Sequence, residues 1–123
     1  MTTRLVFDLD HVQIAAPNGC EAAAREFFGR LLGLEELKSL RVCVRWMLVQ
    51  IGSRQLHIGV EEDFHPARKA HPALAVRQID LLLASLTNAG VECVWERGVA
   101  GVRRFHVHDP WGNRLEFTES TCP

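Results

Sequence analysis

Two stretches of the chain repeat each other about 60 residues apart, and that repeat limits the possible folds more than any other feature. Asp10-His11-Val12-Gln13-Ile14 recurs in outline as Ala70-His71-Pro72-Ala73-Leu74, and Gln55-Leu56-His57-Ile58 recurs as Arg114-Leu115-Glu116-Phe117. His11 and His71 are 60 apart, His57 and Glu116 are 59 apart, and the turn glycines Gly52 and Gly112 are again 60 apart. A unit of that size buries too little surface to stand comfortably alone, so the halves are expected to share a core or a sheet. Three imidazoles and one carboxylate occupy the repeated positions. If the units pack about a pseudo-twofold axis, these four side chains could converge as a metal site.

The order of elements follows from periodicity. Residues 7 to 15 alternate apolar and polar around His11, as a half-buried strand does. Asn18 with Glu21 resembles a capping box, and Ala24, Phe27, Phe28, Leu31 and Leu32 form an apolar helical stripe stopped by Gly33, which predicts a helix from about 20 to 32. Strands are predicted at 34–38, 42–51 and 55–60, with Gly52-Ser53-Arg54 as the turn between the last two. The second half repeats the order, with a strand at 71–76, a helix at about 79–89 stopped by Gly90, and strands at 91–96, 102–108 and 113–119. The last two close around Asp109-Pro110-Trp111-Gly112-Asn113. The chain is thus expected to be one domain, 1–123, of class α+β. Its tandem βαβββ modules cover about 7–60 and 71–119, joined by a polar connection at 61–70 that carries Pro66 and His65.

Strand alternation predicts which side chains share a face. Val12, Ile14, Leu56, Ile58, Leu74, Val76, Leu115 and Phe117 are assigned to the face that meets the helices. His11, Gln13, His57, His71, Arg114 and Glu116 then fall on the opposite face. On strand 102–108, Phe105 and Val107 fit the helix side, which sends Arg104, His106 and His108 the other way.

Composition excludes several functional classes. A formal charge of -1 with 24% charged residues offers no basic footprint for nucleic acid. No apolar run approaches the roughly 20 residues of a bilayer span, and the first residues lack a signal-peptide pattern, so a cytoplasmic protein without a membrane partner is expected. Cys20, Cys43, Cys93 and Cys122 show no C-x-x-C spacing and are expected to be reduced, structural thiols.

Leu9-Asp10-His11-Val12-Gln13-Ile14, the Ala-Leu-Ala-Val segment after His71, and Asp109-Pro110-Trp111-Gly112-Asn113-Arg114-Leu115-Glu116-Phe117 together resemble the vicinal oxygen chelate superfamily. It takes in glyoxalases, bleomycin resistance proteins and dioxygenases, and the resemblance runs from Leu9 to Glu119. It implies a cup-shaped mixed sheet with helices on its outer face, a homodimer, and metal ligands on the first and last strand of each module. Those positions here are His11, His57, His71 and Glu116.

Neutral imidazoles with one carboxylate suit one divalent ion such as Zn, Ni, Fe(II), Co or Mn, acting as a Lewis acid on a substrate oxygen. Glu116 is the candidate for both ligand and base, and Gln13, Arg104 and His106 are candidates for contacting a small-molecule substrate. The chain contains no tyrosine, which sets it apart from the dioxygenases and fosfomycin enzymes of the superfamily, and His57 stands where glyoxalase I is expected to carry a carboxylate. The expected activity is that of a metal-dependent isomerase, lyase or oxygenase acting on a small oxygenated metabolite. The alternative is a bleomycin-resistance-type protein that sequesters an aromatic molecule without catalysis.

Overall fold

The computed structural model describes residues 3–37, 46–98 and 100–120. Its strands are β1 (His11–Ala16), β2 (Glu35–Leu37), β3 (Trp46–Ile51), β4 (Arg54–Val60), β5 (Ala73–Val76), β6 (Val94–Trp95), β7 (Arg104–His108) and β8 (Arg114–Glu119), with helices α1 (Glu21–Ala24) and α2 (Ile79–Asn88). They form two four-stranded mixed sheets, ordered β1-β4-β3-β2 and β5-β8-β7-β6. In each, the first strand of a βαβββ module lies parallel to its last, and the other pairings are antiparallel. The tandem repeat expected from sequence is therefore the architecture.

The parallel pairing makes β4 and β8 interior strands of their sheets. On β1 the inward residues Ile14 and Ala16 are buried and their neighbours are not, whereas on β4 the four consecutive residues Leu56 to Gly59 are all buried. The helix-side assignment holds for Ile14, Leu56, Ile58, Leu115 and Phe117, all in the core, with Val12, Leu74 and Val76 partly buried against it. Phe28 and Phe105 are among the largest side chains that are fully buried there. Burial of each such aromatic from water contributes on the order of 2–3 kcal/mol.

Several element boundaries differ from those expected. Residues 3–10 are exposed and outside any strand; β4 begins at Arg54, level with Asp10, and offers no partner to the residues before it. His71 precedes β5 instead of lying within it. The first helix is α-helical only over Glu21–Ala24 and continues as a π-helix over Arg25–Leu31, with Leu32 N–H donating to the Phe27 carbonyl. The wider turn accompanies burial of the adjacent Phe27 and Phe28, whose rings meet edge to face at 5.0 Å. Cys20 precedes this helix with no side-chain cap, so Asn18 does not form the expected capping box. Residues 38 and 42–45 of the expected strands, with Cys43 and Cys122, lie outside the described residues.

The β3–β4 and β7–β8 turns correspond, with Gly52 at φ +57° and Gly112 at φ +95°, a region that L side chains rarely adopt. The second turn also ties the modules together. Asp109 Oδ1 accepts from the backbone N–H of Trp111 at 3.0 Å and of Asn113 at 2.8 Å, while Asn113 Nδ2 donates to Asp109 Oδ2 at 2.8 Å. The same Nδ2 donates to the carbonyl of Ala15 on β1 at 2.7 Å. Burial pushes the Asp109 carboxyl above the usual range, opposed by these hydrogen bonds, with those from Asn113 first.

Replacing Asn113 with alanine removes the side-chain donor shared by the buried Asp109 carboxylate and the half-buried Ala15 carbonyl. The expected loss is roughly 1–3 kcal/mol of stability, read as a lower denaturant midpoint at unchanged slope. A midpoint equal to that of the wild-type chain would show that the tie is dispensable.

Candidate functional site

The helix-free faces of the two sheets carry the polar residues singled out by the repeat. In the first module, β1 and β4 run parallel with Gln13 opposite His57, and the imidazoles of His11 and His57 stack at 4.0 Å between centroids, 14° from coplanar. His11 Nδ1 donates to Asp10 Oδ2 at 2.9 Å, and His57 Nε2 donates to Gln55 Oε1 at 3.0 Å. Because β4 is interior, His57 is buried. Burial first, and then the neighbouring His11 charge, lower its pKa below the ordinary value, with Asp10 opposing.

In the second module, His71 Nδ1 donates to the carbonyl of Lys69 at 2.7 Å. This fixes the tautomer and turns Nε2 toward Glu116 Oε1, 3.4 Å away. Two lone-pair atoms in that relation repel unless a proton or a cation lies between them. Glu116 is buried, its Oε2 accepts from Thr118 Oγ1 at 3.0 Å, and Arg104 Nη1 lies 3.9 Å from the same oxygen.

One chain thus brings its candidate ligands together as two pairs, His11 with His57 and His71 with Glu116. Among the described residues, no group of three or more His, Cys, Asp or Glu could hold a metal ion. The donor chemistry of each pair still suits a borderline divalent ion. His11 and His71 each give the Nδ1 proton to an oxygen and keep Nε2 as the lone-pair nitrogen, the arrangement that hydrogen-bonded metal-binding imidazoles adopt.

The substrate candidates lie on the same faces. Gln13 lies across β4, where a Cβ on Gly59 would come within 2.7 Å of its amide nitrogen. The Arg104 guanidinium rests against Gly98, and its Nε is buried with no hydrogen-bond partner among the described residues. His106 pairs with Glu116 in the β7–β8 register, and its Nδ1 donates to Glu96 Oε1 at 2.5 Å. Arg114 also donates to Glu96. Sequence reasoning missed Glu96 and Thr118. Strand parity puts Thr118 on the Glu116 face, but Glu96 is placed only by the β6–β7 register, in which Val94 opposes His106 and Trp95 opposes Phe105.

A cleft of about 320 Å³ runs between β1 and β5, lined by His11, Gln55, Pro72 and Ala73 among others. A larger cavity of about 780 Å³ lies on the helix side among Leu32, Ile51, Leu74, Leu82 and Phe117, and none of the candidate residues lines it. His65, in the connection, is exposed.

The lowered pKa of His57 has a consequence for stability. In the unfolded chain this imidazole titrates near about 6.5, and in the folded protein it titrates lower, so between the two values the unfolded state binds more protons. Stability is expected to fall as pH drops through that window, and His57→Gln should flatten the fall. Denaturation midpoints measured between pH 7.5 and 5 check this, and an unchanged slope in the variant would refute it.

A family model described as Glyoxalase/Bleomycin resistance protein/Dioxygenase superfamily matches residues 8–117. Among solved structures, a glyoxalase family protein from Bacillus anthracis is 39% identical, with a TM-score of 0.92 over 98% of this chain and 100% of that one. A glyoxalase family protein from Enterococcus faecalis is 27% identical, with a TM-score of 0.71 over 91% and 97%. The fosfomycin resistance protein FosX from Listeria monocytogenes has the same fold at 18% identity, with a TM-score of 0.74 over 95% and 96%. Comparison with curated proteins gives no match. By the span of the family match and the likeness to the Bacillus anthracis protein, the chain belongs to the Glyoxalase/Bleomycin resistance protein/Dioxygenase superfamily.

Proposed function

We propose that the protein is a metal-dependent enzyme of this superfamily that acts on a small oxygenated molecule, with His11, His57, His71 and Glu116 as the ligand set. The observation that carries this reading is the tautomer of the two outer imidazoles. His11 and His71 each donate Nδ1–H to an oxygen and present Nε2, and His71 presents it to the Glu116 carboxylate. The lowered pKa keeps His57 neutral, the form in which an imidazole ligates. When bound, the ion would supply Lewis-acid stabilisation of negative charge developing on a substrate oxygen.

The chain's own residues would bind and orient the substrate. Arg104, with its Nε–H unpartnered among the described residues, is suited to an anionic or carbonyl oxygen. Gln13 offers an amide beside the His11 and His57 pair.

Each chain contributes two ligand pairs, so we infer a homodimer in which the pair from one module meets the complementary pair of a second copy. Apolar exposure supports this, since Leu5, Val6 and Phe7 are 85%, 88% and 90% exposed in the segment that leads into His11. A run of that kind marks a surface for a partner.

Titration of chelator-stripped protein with Zn²⁺ is expected to show about one tightly held ion per chain and a dimer by sedimentation, and His71→Ala should weaken binding by more than about 100-fold. Equal binding by wild type and His71→Ala would overturn the ligand assignment. Protein that ignores Zn²⁺, Ni²⁺, Co²⁺, Mn²⁺ and Fe²⁺ yet binds aromatic molecules would instead be a sequestering protein.

A further inference from the structure

We propose that His106, oriented by Glu96, is the proton-accepting group on the helix-free face of the second module, separate from the metal ligands. This rests on the enzyme reading above and divides the double role that sequence alone assigns to Glu116.

Glu116 is poorly placed to take up a proton. Oε1 faces His71 Nε2, and Oε2 accepts from Thr118 and lies 3.9 Å from Arg104. Both oxygens are engaged and the group is assigned to a metal as well, so a substrate proton would have to displace one of these contacts.

His106 is in the opposite situation. It sits directly across the β7–β8 ladder from Glu116, so their Cβ atoms are about 4.5–5.5 Å apart on one face. Its flanking residues Phe105 and Val107 are fully buried on the other side, which fixes the face of the sheet on which the ring lies. A carboxylate oxygen can only accept, so the 2.5 Å contact with Glu96 puts the proton of the neutral ring on Nδ1 and the lone pair on Nε2. Glu96 is itself held by Arg114. The ring is 14% exposed, and Nε2 has no hydrogen-bond partner among the described residues. An imidazole braced at Nδ1 by a carboxylate and bare at Nε2 has the arrangement that general bases use.

In an isomerisation, the C–H bond beside a substrate carbonyl breaks and its electron pair stays on the substrate. The proton moves to Nε2, Glu96 stabilises the imidazolium, and the proton returns to a neighbouring atom, so no oxidant or reductant is required.

The proposal is tested by modifying the protein with diethyl pyrocarbonate, with and without Zn²⁺, and mapping each histidine by peptide mass spectrometry, with exposed His65 as the internal reference. His106 is expected to be modified at Nε2, to change in rate about tenfold relative to His65 in Glu96→Gln, and to stay reactive when Zn²⁺ is bound. Nitrogen chemical shifts of the ring in the unmodified protein should show the neutral form protonated at Nδ1, a measurement that does not depend on the variant folding. His106 protected by Zn²⁺, unreactive, indifferent to Glu96→Gln, or protonated at Nε2 would each overturn the assignment. Protection of His11 and His71 by Zn²⁺ reports separately on the metal reading, so either can fail while the other stands.

Discussion

The parallel pairing of the first strand of each module with its last is the constraint on which the rest depends. It sets Gln13 opposite His57 in one sheet and Ala73 opposite Glu116 in the other, and it makes β4 and β8 interior strands. A slip of one residue in either pairing would turn every side chain of a strand to the other face, moving His57 or Glu116 into the helix-side core and a leucine or phenylalanine out of it. The apolar rows on β4 and β8 prevent that slip, since Leu56, Ile58, Leu115 and Phe117 lose their burial if it occurs. The same pairing explains why His57 is buried and its proton affinity lowered.

The polar residues opposite this core form a graded series. His57 and Glu116 lie on interior strands and are buried, whereas His11 and His71 lie at or before edge strands and are more open. An ion or ligand approaching the face would meet the open imidazoles first. Glu96 extends the series outward, because the short β6 brings one carboxylate against both His106 and Arg114.

Much of this was legible in the chain itself. The 60-residue offset between His11 and His71 and the apolar alternation on β4 and β8 were sufficient for the module order, the face assignments and the two turns. Boundaries were less legible. Alternation from residue 7 onward reads as a strand, but a strand needs a partner, and β4 supplies none before Arg54. Asn18 and Glu21 have the spacing of a capping box, yet the helix begins after Cys20 and turns π-helical over a pair of adjacent phenylalanines that both enter the core. Periodicity carries no signal for that widening.

By itself the sequence determined that the chain folds as two like modules with three imidazoles and a carboxylate on the faces away from the helices, because period-2 alternation and a matched repeat are local properties. Tertiary structure alone decided how those groups associate. Within one chain they form two pairs, since the pairing of parallel strands joins residues of the same module. The distance between His71 and Glu116, the contact of Glu96 with His106, and the reach of Asn113 to Ala15 join residues tens of positions apart or on strands whose register no local pattern specifies. Such contacts arise from packing and register, which exist only once the sheets have assembled.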